Sequence, residues 1–194
     1  MKIAIDIMNG DYSPTSTIKG ALSYINNYKN DFLYLVGKNG TFKSNKKVFK
    51  QSKYNNYKFI YAEDEIIDSD SPTRLFKNKP ESSLIKSIQL LKDNEVSAVV
   101  SAGNTGALLS SSLLLLGKID KIKRPALGAF IPTDKGGFVL CDVGANSDNK
   151  PIHLLQFSLM AKAYIEYLEN IKNPKIALLN IGNESNKGNL LSIA

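Results

Sequence analysis

The chain has few of the residues on which nucleophilic, redox and metal chemistry most often depend. Its 194 residues include one cysteine, Cys141, and one histidine, His153. A single cysteine excludes an internal disulfide and fits a reducing cytoplasm. We interpret Cys141 as a buried structural residue of a strand, and His153 as a packing or capping residue in the first turn of a helix. The sequence has no Gly-x-Ser-x-Gly elbow, Cys/His pair or metal-ligand cluster, so we expect no metal, no cofactor and no covalent nucleophile.

The sequence also lacks a long hydrophobic run and a visible signal peptide. The run from Ala107 to Leu116 is interrupted by three serines at 110–112, whereas a membrane-spanning helix needs about 20 mainly apolar residues. The amino terminus, Met1–Asp6, has an acidic residue where the apolar centre of a signal peptide belongs. We therefore predict a cytoplasmic protein in which residues 107–116 form a buried helix.

The 25 basic residues outnumber the 18 acidic ones, and the resulting net charge of +7 predicts anionic partners. The densest basic stretch, Lys43–Lys50, is interpreted as a solvated helix face. No nucleic-acid-binding motif accompanies it, so we expect no nucleic acid partner. An acidic carrier protein, a phosphate group or an anionic membrane surface would be attracted equally well by this charge.

Short apolar runs alternate with segments of helical period, which predicts a single α/β domain over residues 1–194. The expected fold is a mostly parallel sheet with helices on both faces. Two helices are clear, Ser82–Lys92 and one from Pro151 to about Asn170, and the polar segment Asp68–Lys79 is expected to be an exposed excursion. The predicted strands are Lys2–Ile7, Phe32–Val36, Lys58–Tyr61, Ser97–Val100, Ala126–Ile131, Phe138–Asp142 and Lys175–Asn180.

The last twenty residues predict a strand, a turn at Gly182–Gly188 and a helix from Asn189 that ends after barely one turn. A helix this short cannot cover a sheet. We expect the chain to break off within a βα unit and the natural protein to continue beyond Ala194.

Four predicted strand ends run into polar turns that contain glycine. These turns are Asp6–Asp11, Ser101–Gly106, Asp142–Asn146 and Asn180–Asn183. Each alone is explained by helix capping and turn formation. Because ligands collect at the carboxyl ends of parallel strands, the four together predict one site. The P-loop and dinucleotide patterns are absent, so the site is expected to position an anion with N–H groups, amides and lysines.

These turns resemble the bacterial phosphate acyltransferases of phospholipid synthesis, in order and spacing along the whole chain. The chain departs from the family where Asn9–Pro14 replaces Gly-Gly-Asp-His-Ala-Pro, and where Asn149 replaces the usual cysteine. The matching motifs are Met8-Asn9-Gly10-Asp11, SAGNTGALL from Ser101, Arg124-Pro125-Ala126, Asp142–Asn146, Lys150-Pro151, Gln156-Phe157 and LLNIGNESNKGN at 178–189.

The resemblance implies transfer of a long acyl chain from acyl-[acyl carrier protein] to inorganic phosphate, giving an acyl phosphate for phosphatidic acid synthesis. It implies a Rossmann-like three-layer fold similar to phosphotransacetylases and isopropylmalate dehydrogenases. It further implies a homodimer, peripheral membrane association and a downstream glycerol-3-phosphate acyltransferase that uses the product. The present chain alone is expected to have little or no activity, because part of the family's sheet, acyl site and dimer contact lies beyond Ala194.

Thirteen residues of the four turns and their surroundings are candidates for the site. We expect Gly103 or Gly106 to be glycine because a Cβ would intrude on the anion. Asp11 and Asp142 are expected to orient lysines or to cap turns. The candidates for direct phosphate, oxyanion or cationic contacts are Asn104, Thr105, Asn146, Lys150 and Lys187, and those for phosphate or acyl binding are Asn9, Gly10, Asp11, Gly103, Gly106, Asp142, Gly144 and Gly182.

Two other functions remain open from the sequence. One is a nicotinamide-dependent dehydrogenase on the same fold, which would bind a dinucleotide. The other is a non-enzymatic module that binds anions or docks on membranes. Thermal shifts with phosphate, NAD and acyl carrier protein would separate the three.

Overall fold

The computed structural model describes residues 1–50, 52–67, 69–134, 136–182 and 187–193, apart from the side chain of Thr73. The chain divides after Gly117 into two compact units, Met1–Gly117 and Lys118–Ala194. The single-domain organisation stays a prediction, and each unit is described by itself.

The first unit alternates strands with helices. Its strands are β1 Lys2–Asp6, β2 Phe32–Gly37, β3 Tyr57–Tyr61 and β4 Ala98–Ser101, and its helices are α1 Thr15–Asn27, α2 Asn39–Ser44, α3 Lys46–Phe49, α4 Leu75–Asn78, α5 Ser83–Lys92 and α6 Thr105–Leu116, with a 3₁₀ turn at Pro72–Arg74.

The four strands form one fully parallel sheet in the order β3-β2-β1-β4. Each strand is an apolar run within one residue of its predicted bounds at either end. The centres of β1 and β2 are buried, as expected for parallel strands covered on both faces. The prediction of an α/β fold with a mostly parallel sheet flanked by helices is confirmed.

Alternating side chains of the strands build a core on each face of this sheet. On one face, Ile3 and Ile5 pack with the buried side of α1 and with Phe42 and Phe49 of the two short helices after β2. On the other face, Ala4 packs in a separate cluster that includes Tyr34, Val36 and the end of α5. Because all four strands are parallel, their carboxyl ends lie at one edge of this sheet.

The predicted exposed excursion before α5 is anchored more firmly than its polarity suggests. Leu75 is almost fully buried, at 2% exposure, and packs with Ile66, α5 and α6. The prediction of an exposed segment is confirmed for Phe76, Lys77 and Asn78 of α4 and is wrong for Leu75, whose apolar side chain anchors the segment in the core. Asp68 lies outside the described residues.

The two strands predicted at Ala126–Ile131 and Phe138–Asp142 are present in the second unit within two residues of their predicted bounds, and they form a hairpin. The elements of this unit are β5 Gly128–Thr133, β6 Gly136–Cys141, α7 Pro151–Glu169 and α8 Leu190–Ile193. β5 and β6 pair antiparallel, with Thr133 opposite Gly136. The connection between them is far too short for a parallel crossover, which needs a dozen or more residues.

The predicted strand Lys175–Asn180 has no regular secondary structure. A strand is stable only when its N–H and C=O groups pair with a neighbour, and no described strand of the second unit pairs with this segment. The predicted helix 151–170 is confirmed. Of the predicted turn 182–188, residues 183–186 lie outside the described part of the chain, as does Ala194 at the end of the predicted last helix.

Candidate functional site

A cleft of about 770 Å³ opens at the carboxyl ends of β1 and β4 in the first unit. One wall is the turn after β1, a second is the turn that leads from β4 into α6, and a third is the loop at Glu65–Ile67. All seven sequence-predicted candidates of this unit line it, namely Asn9, Gly10, Asp11, Gly103, Asn104, Thr105 and Gly106. The structure therefore brings together the two predicted turns of the first unit.

Asp6 fastens these two turns to each other, and sequence reasoning missed it as a site residue. Its carboxylate is fully buried. It accepts hydrogen bonds from Asn9 Nδ2 at 2.6 Å, Ser101 Oγ at 2.8 Å and the Met8 backbone N–H at 3.2 Å. Since Asn9 follows β1 and Ser101 ends β4, one carboxylate sets the distance between two walls of the cleft. An acidic residue directly after three apolar strand positions, Ile3, Ala4 and Ile5, was the available signal.

The glycines of the cleft are required by neighbouring protein atoms. A Cβ on Gly103 would lie 2.6 Å from the Asn9 Cβ, and one on Gly106 would lie 3.2 Å from Pro72 Cγ. Gly10 has φ +118°, a backbone conformation that favours glycine. Close packing against Asn9 and Pro72 is thus one reason for glycine at Gly103 and Gly106. The expectation that either glycine keeps space for an anion stays a prediction.

The amino terminus of α6 presents two hydrogen-bond donors to the cleft. Asn104 caps the helix, because its Oδ1 accepts from the Ala107 N–H at 2.9 Å. The N–H groups of Thr105 and Gly106 have no acceptor among the described residues, as is usual for the first turn of a helix. Together with the helix dipole, these donors form an arrangement suited to an anion.

The third wall is held by an ion pair that sequence reasoning did not find. Lys79 Nζ donates to Asp70 Oδ2 at 2.6 Å and to the Glu65 carbonyl at 2.9 Å. Asp70 also accepts from the Ile67 N–H at 2.8 Å. The Lys79 ammonium, followed by the Ile67 N–H, holds the pKa of Asp70 below its usual range. Lys79 and Asp70 thus hold the backbone of Glu65–Ile67, the third wall of the cleft, in place.

The charged side chains that line the cleft are acidic. Asp11 is exposed at its rim, and Glu65 pairs with Lys38 at 3.4 Å in a surface ion pair. Among the described lining residues there is no lysine or arginine. Attraction of an anion within this unit thus rests on the backbone donors and dipole of α6, and the predicted cations lie in the second unit.

In the second unit, the turn after β6 is organised by Asp142. Its Oδ1 accepts from the Leu127 N–H at 2.8 Å, and its Oδ2 accepts from the Asn146 backbone N–H at 2.8 Å. The Asn146 amide also donates to the Pro125 carbonyl at 2.9 Å and to Asp142 at 3.2 Å. Asp142 therefore caps the turn, and the Asn146 Nδ2 is committed to holding it. Gly144 lies in the same turn with φ +96°.

Lys150 and His153 begin helix α7. The His153 Nδ1 accepts from the Lys150 backbone N–H at 3.1 Å, which confirms the capping role predicted for this histidine. Burial, and then the charges of Arg124, Lys123 and Lys150, lower the pKa of His153. The Lys150 side chain is exposed and has no ion pair among the described residues.

The fourth predicted turn is described only at its two ends. Gly182 is half-buried, and Lys187 is exposed with its carbonyl accepting from Asn180 Nδ2 at 2.9 Å. The convergence of all four turns on one site stays a prediction, since two of them belong to each unit.

Cys141 is half-buried, not buried as predicted. Burial, and then the Asp142 charge, raise the pKa of its thiol, which disfavours the nucleophilic thiolate at neutral pH. Within the described residues, no group of His, Cys, Asp and Glu is arranged to hold a metal. No described helix is long and apolar enough to cross a membrane.

A second cavity, of about 730 Å³, lies within the second unit between β6, α7 and residues 171–179. Its lining is mainly apolar and includes Phe138, Leu140, Phe157, Ala161 and Ile165. A cavity of this size and chemistry suits an aliphatic chain.

A comparison of the whole sequence with known families shows the family of the chain. The profile of the family described as “Fatty acid synthesis protein” matches residues 1–193. The chain belongs to this family, and the resemblance inferred from the motifs is confirmed.

Individual relatives carry a more specific name. A phosphate acyltransferase of Dictyoglomus turgidum is 49% identical over 194 residues, covering 98% of this chain and 56% of the relative. Phosphate acyltransferases of Caldanaerobacter subterraneus and Listeria innocua are each 42% identical, covering 97% and 99% of this chain and 55% and 56% of the relatives. The chain thus spans a little over half the length of these curated relatives.

Proposed function

We propose that the intact protein transfers an acyl group from the thioester of an acyl carrier protein to inorganic phosphate. The observation that supports this most directly is the cleft in which the free N–H groups of Thr105 and Gly106 begin helix α6. It occurs in a chain whose relatives are named phosphate acyltransferases. Such a cleft suits a phosphate, and the name supplies the acyl transfer.

The reaction needs positioning more than proton abstraction. A phosphate oxygen attacks the thioester carbonyl carbon, a carbon–oxygen bond forms, and the carbon–sulfur bond breaks to release the carrier thiolate, which takes a proton from solvent. Phosphate is already anionic at neutral pH, so its orientation against the carbonyl is the main requirement, and such orientation turns a bimolecular step into an effectively unimolecular one.

Different residues of the cleft would have different roles. The Thr105 and Gly106 N–H groups would bind the phosphate, and the Asn104 Nδ2 would add a donor because only its Oδ1 is used in the helix cap. Asn9 donates to Asp6 and is therefore a positioning residue. Asn146, Lys150 and Lys187 remain proposed contacts for the developing oxyanion and the phosphate charge.

The apolar cavity of the second unit is proposed to take the acyl chain. It is lined mainly by aliphatic and aromatic side chains, and its volume of about 730 Å³ lies within the range of about 300–1,000 Å³ that is usual for ligand pockets. Homodimer formation, a cytoplasmic location with peripheral membrane association, and delivery of the acyl phosphate to a glycerol-3-phosphate acyltransferase are further proposals that follow from the family.

The decisive test removes one backbone donor while keeping the helix. Thr105 is the first residue of α6, where proline is well tolerated and lacks only an N–H that has no helical partner. Asn104 before it has ψ 121°, which suits a residue that precedes proline. Thr105→Pro thus deletes a single donor, and Thr105→Ala is the matched control that keeps it.

In the intact protein, release of the carrier thiol should require phosphate and should not occur with sulfate. Thr105→Pro should lower kcat/KM for phosphate by about 100-fold, the usual effect of losing one such donor, and Thr105→Ala should stay near the parent. A burst of acylated enzyme without phosphate would contradict the mechanism, because it marks a covalent nucleophile. Binding of NAD in place of phosphate would favour the dehydrogenase, and phosphate binding without thiol release would favour the non-enzymatic module.

A further inference from the structure

The positive charge of the protein is concentrated in one segment. Residues 12–62 contain nine lysines and a single acidic residue, Asp31. The rest of the chain contains 16 basic and 17 acidic residues. The net charge of +7 therefore comes from this segment alone, which forms α1, β2, α2, α3 and β3.

Four of these lysines, Lys19, Lys43, Lys46 and Lys47, are exposed on the helices that cover one face of the sheet, and the others lie between these elements or in β3. The buried sides of these helices face the core. Asp31 is committed to the amino terminus and to Tyr24. Seven of the nine lysines are exposed and have no ion pair among the described residues. Lys29 lies over the ring of Tyr54, and we call the other six the basic face: Lys19, Lys43, Lys46, Lys47, Lys50 and Lys53.

The short helices that carry part of the basic face contact residues in or next to the lining of the cleft. Asn45, immediately before α3, accepts a hydrogen bond from Thr15 Oγ1 at 3.1 Å. Thr41 Oγ1 lies 3.4 Å from the sulfur of Met8, and Met8 lines the cleft. A partner bound over α3 is thus held beside the cleft.

The chemistry of the basic face favours a protein over a membrane. Helices that lie in a membrane interface insert an apolar side among the lipids. Here Ile18, Leu22 and Ile25 of α1, Phe42 of α2 and Phe49 of α3 are buried in the core. What remains outside is charged and polar, which suits the acidic surface of a folded protein.

We infer that the basic face docks the acidic carrier protein that bears the acyl thioester, and so positions the thioester over the cleft. This inference rests on the proposed function for the identity of the partner. Charge complementarity of this kind mainly raises the association rate and is weakened by salt.

The test reverses two charges of the basic face and compares them with two at the opposite edge of the same sheet. Lys46→Glu/Lys47→Glu alters exposed residues at the start of α3. Lys2→Glu/Lys92→Glu is the matched control, since Lys2 begins β1 and Lys92 ends α5, both are exposed, and the net charge changes equally. Binding of unacylated carrier protein to the intact protein is measured by fluorescence anisotropy at about 0.05 M and 0.5 M salt, so that the result does not depend on turnover.

The parent should bind the carrier at low salt and weaken as salt rises. Lys46→Glu/Lys47→Glu should weaken low-salt binding at least tenfold, and the control pair should change it less than threefold. Equal binding by the two variants, or no binding by the parent, would overturn the inference.

Sedimentation with vesicles of anionic phospholipid tests whether the basic face binds a membrane instead of the carrier protein. Loss of vesicle binding with retained carrier binding in Lys46→Glu/Lys47→Glu would show that the face contacts membranes, which also overturns the inference. Phosphate-dependent thiol release from a small acyl thioester is measured in parallel. Loss of that release in the parent would count against the proposed function, and the carrier-binding result would still decide the docking surface.

Discussion

Replacing Asp6 should separate the two turns that form the cleft. In Asp6→Ala, the Asn9 amide and the Ser101 hydroxyl lose their shared acceptor, and Asn9 is only 6% exposed. A buried donor left without an acceptor costs about 1–3 kcal/mol. Asn9 is buried whereas Ser101 is half-buried, so we expect Asp6→Ala to lower the free energy of unfolding by about 1–3 kcal/mol, mainly through Asn9. Asp6→Asn keeps the shape and one accepting oxygen, and we expect about half that effect. Because domains are stable by about 5–15 kcal/mol, both variants should fold at low temperature.

The assay is urea unfolding of the intact protein, combined with kcat/KM for phosphate per folded molecule. Both values should fall in the order parent, Asp6→Asn, Asp6→Ala. Asp120→Ala, at an exposed site of the second unit, is the control and should change stability by less than about 0.5 kcal/mol. If Asp6→Ala unfolds at the parent's urea midpoint, Asp6 does not hold the turns together.

Four further outcomes follow from other parts of the structure. Ala161→Leu fills the apolar cavity and should shorten the preferred acyl chain in a panel of thioesters, whereas Ala163→Leu, exposed on the same helix, should not. Lys79→Met removes the hydrogen bonds to Asp70 and the Glu65 carbonyl and should raise the KM for phosphate more than it lowers kcat. A fall in kcat alone would contradict a positioning role for Lys79. Leu115→Ala should cost about 2–5 kcal/mol in urea unfolding and leave activity per folded molecule unchanged. Because the pKa of His153 is lowered in the folded protein, the unfolded chain binds a proton more readily at this residue. The stabilising contribution of His153 is therefore present above about pH 6.5 and is lost as the pH falls toward the folded-state pKa. The same pH dependence of unfolding in the parent and in His153→Gln would contradict this.

The parallel sheet was predictable because its strands appear as short apolar runs between polar turns, and its two central strands, β1 and β2, are buried on both faces. The same signal did not give the direction of pairing in the β5–β6 hairpin, since an apolar run does not reveal the direction of its neighbour. The close spacing of Thr133 and Gly136 carried that information. Lys175–Asn180 has the composition of a strand, but pairing depends on a partner that local sequence does not specify.

The candidate site was predictable where each turn carries its own signature. Asn104 has the position and residue type of a helix cap, and the structure confirms that role. The contacts between turns were not predictable, because Asp6 and Ser101 are 95 residues apart in sequence. The reason for glycine at Gly103 was likewise hidden, since it depends on the approach of Asn9 from another strand end.

The most direct test of the central claim is to follow the backbone amide resonances of the intact, ¹⁵N-labelled protein during a phosphate titration. We expect the amide resonances of Thr105 and Gly106 to shift saturably and with one dissociation constant. Sulfate at equal ionic strength is the control for non-specific effects. Thr105→Pro should weaken the Gly106 response. Phosphate-dependent shifts confined to other parts of the protein, with Thr105 and Gly106 unchanged, would contradict the claim that this cleft binds the phosphate.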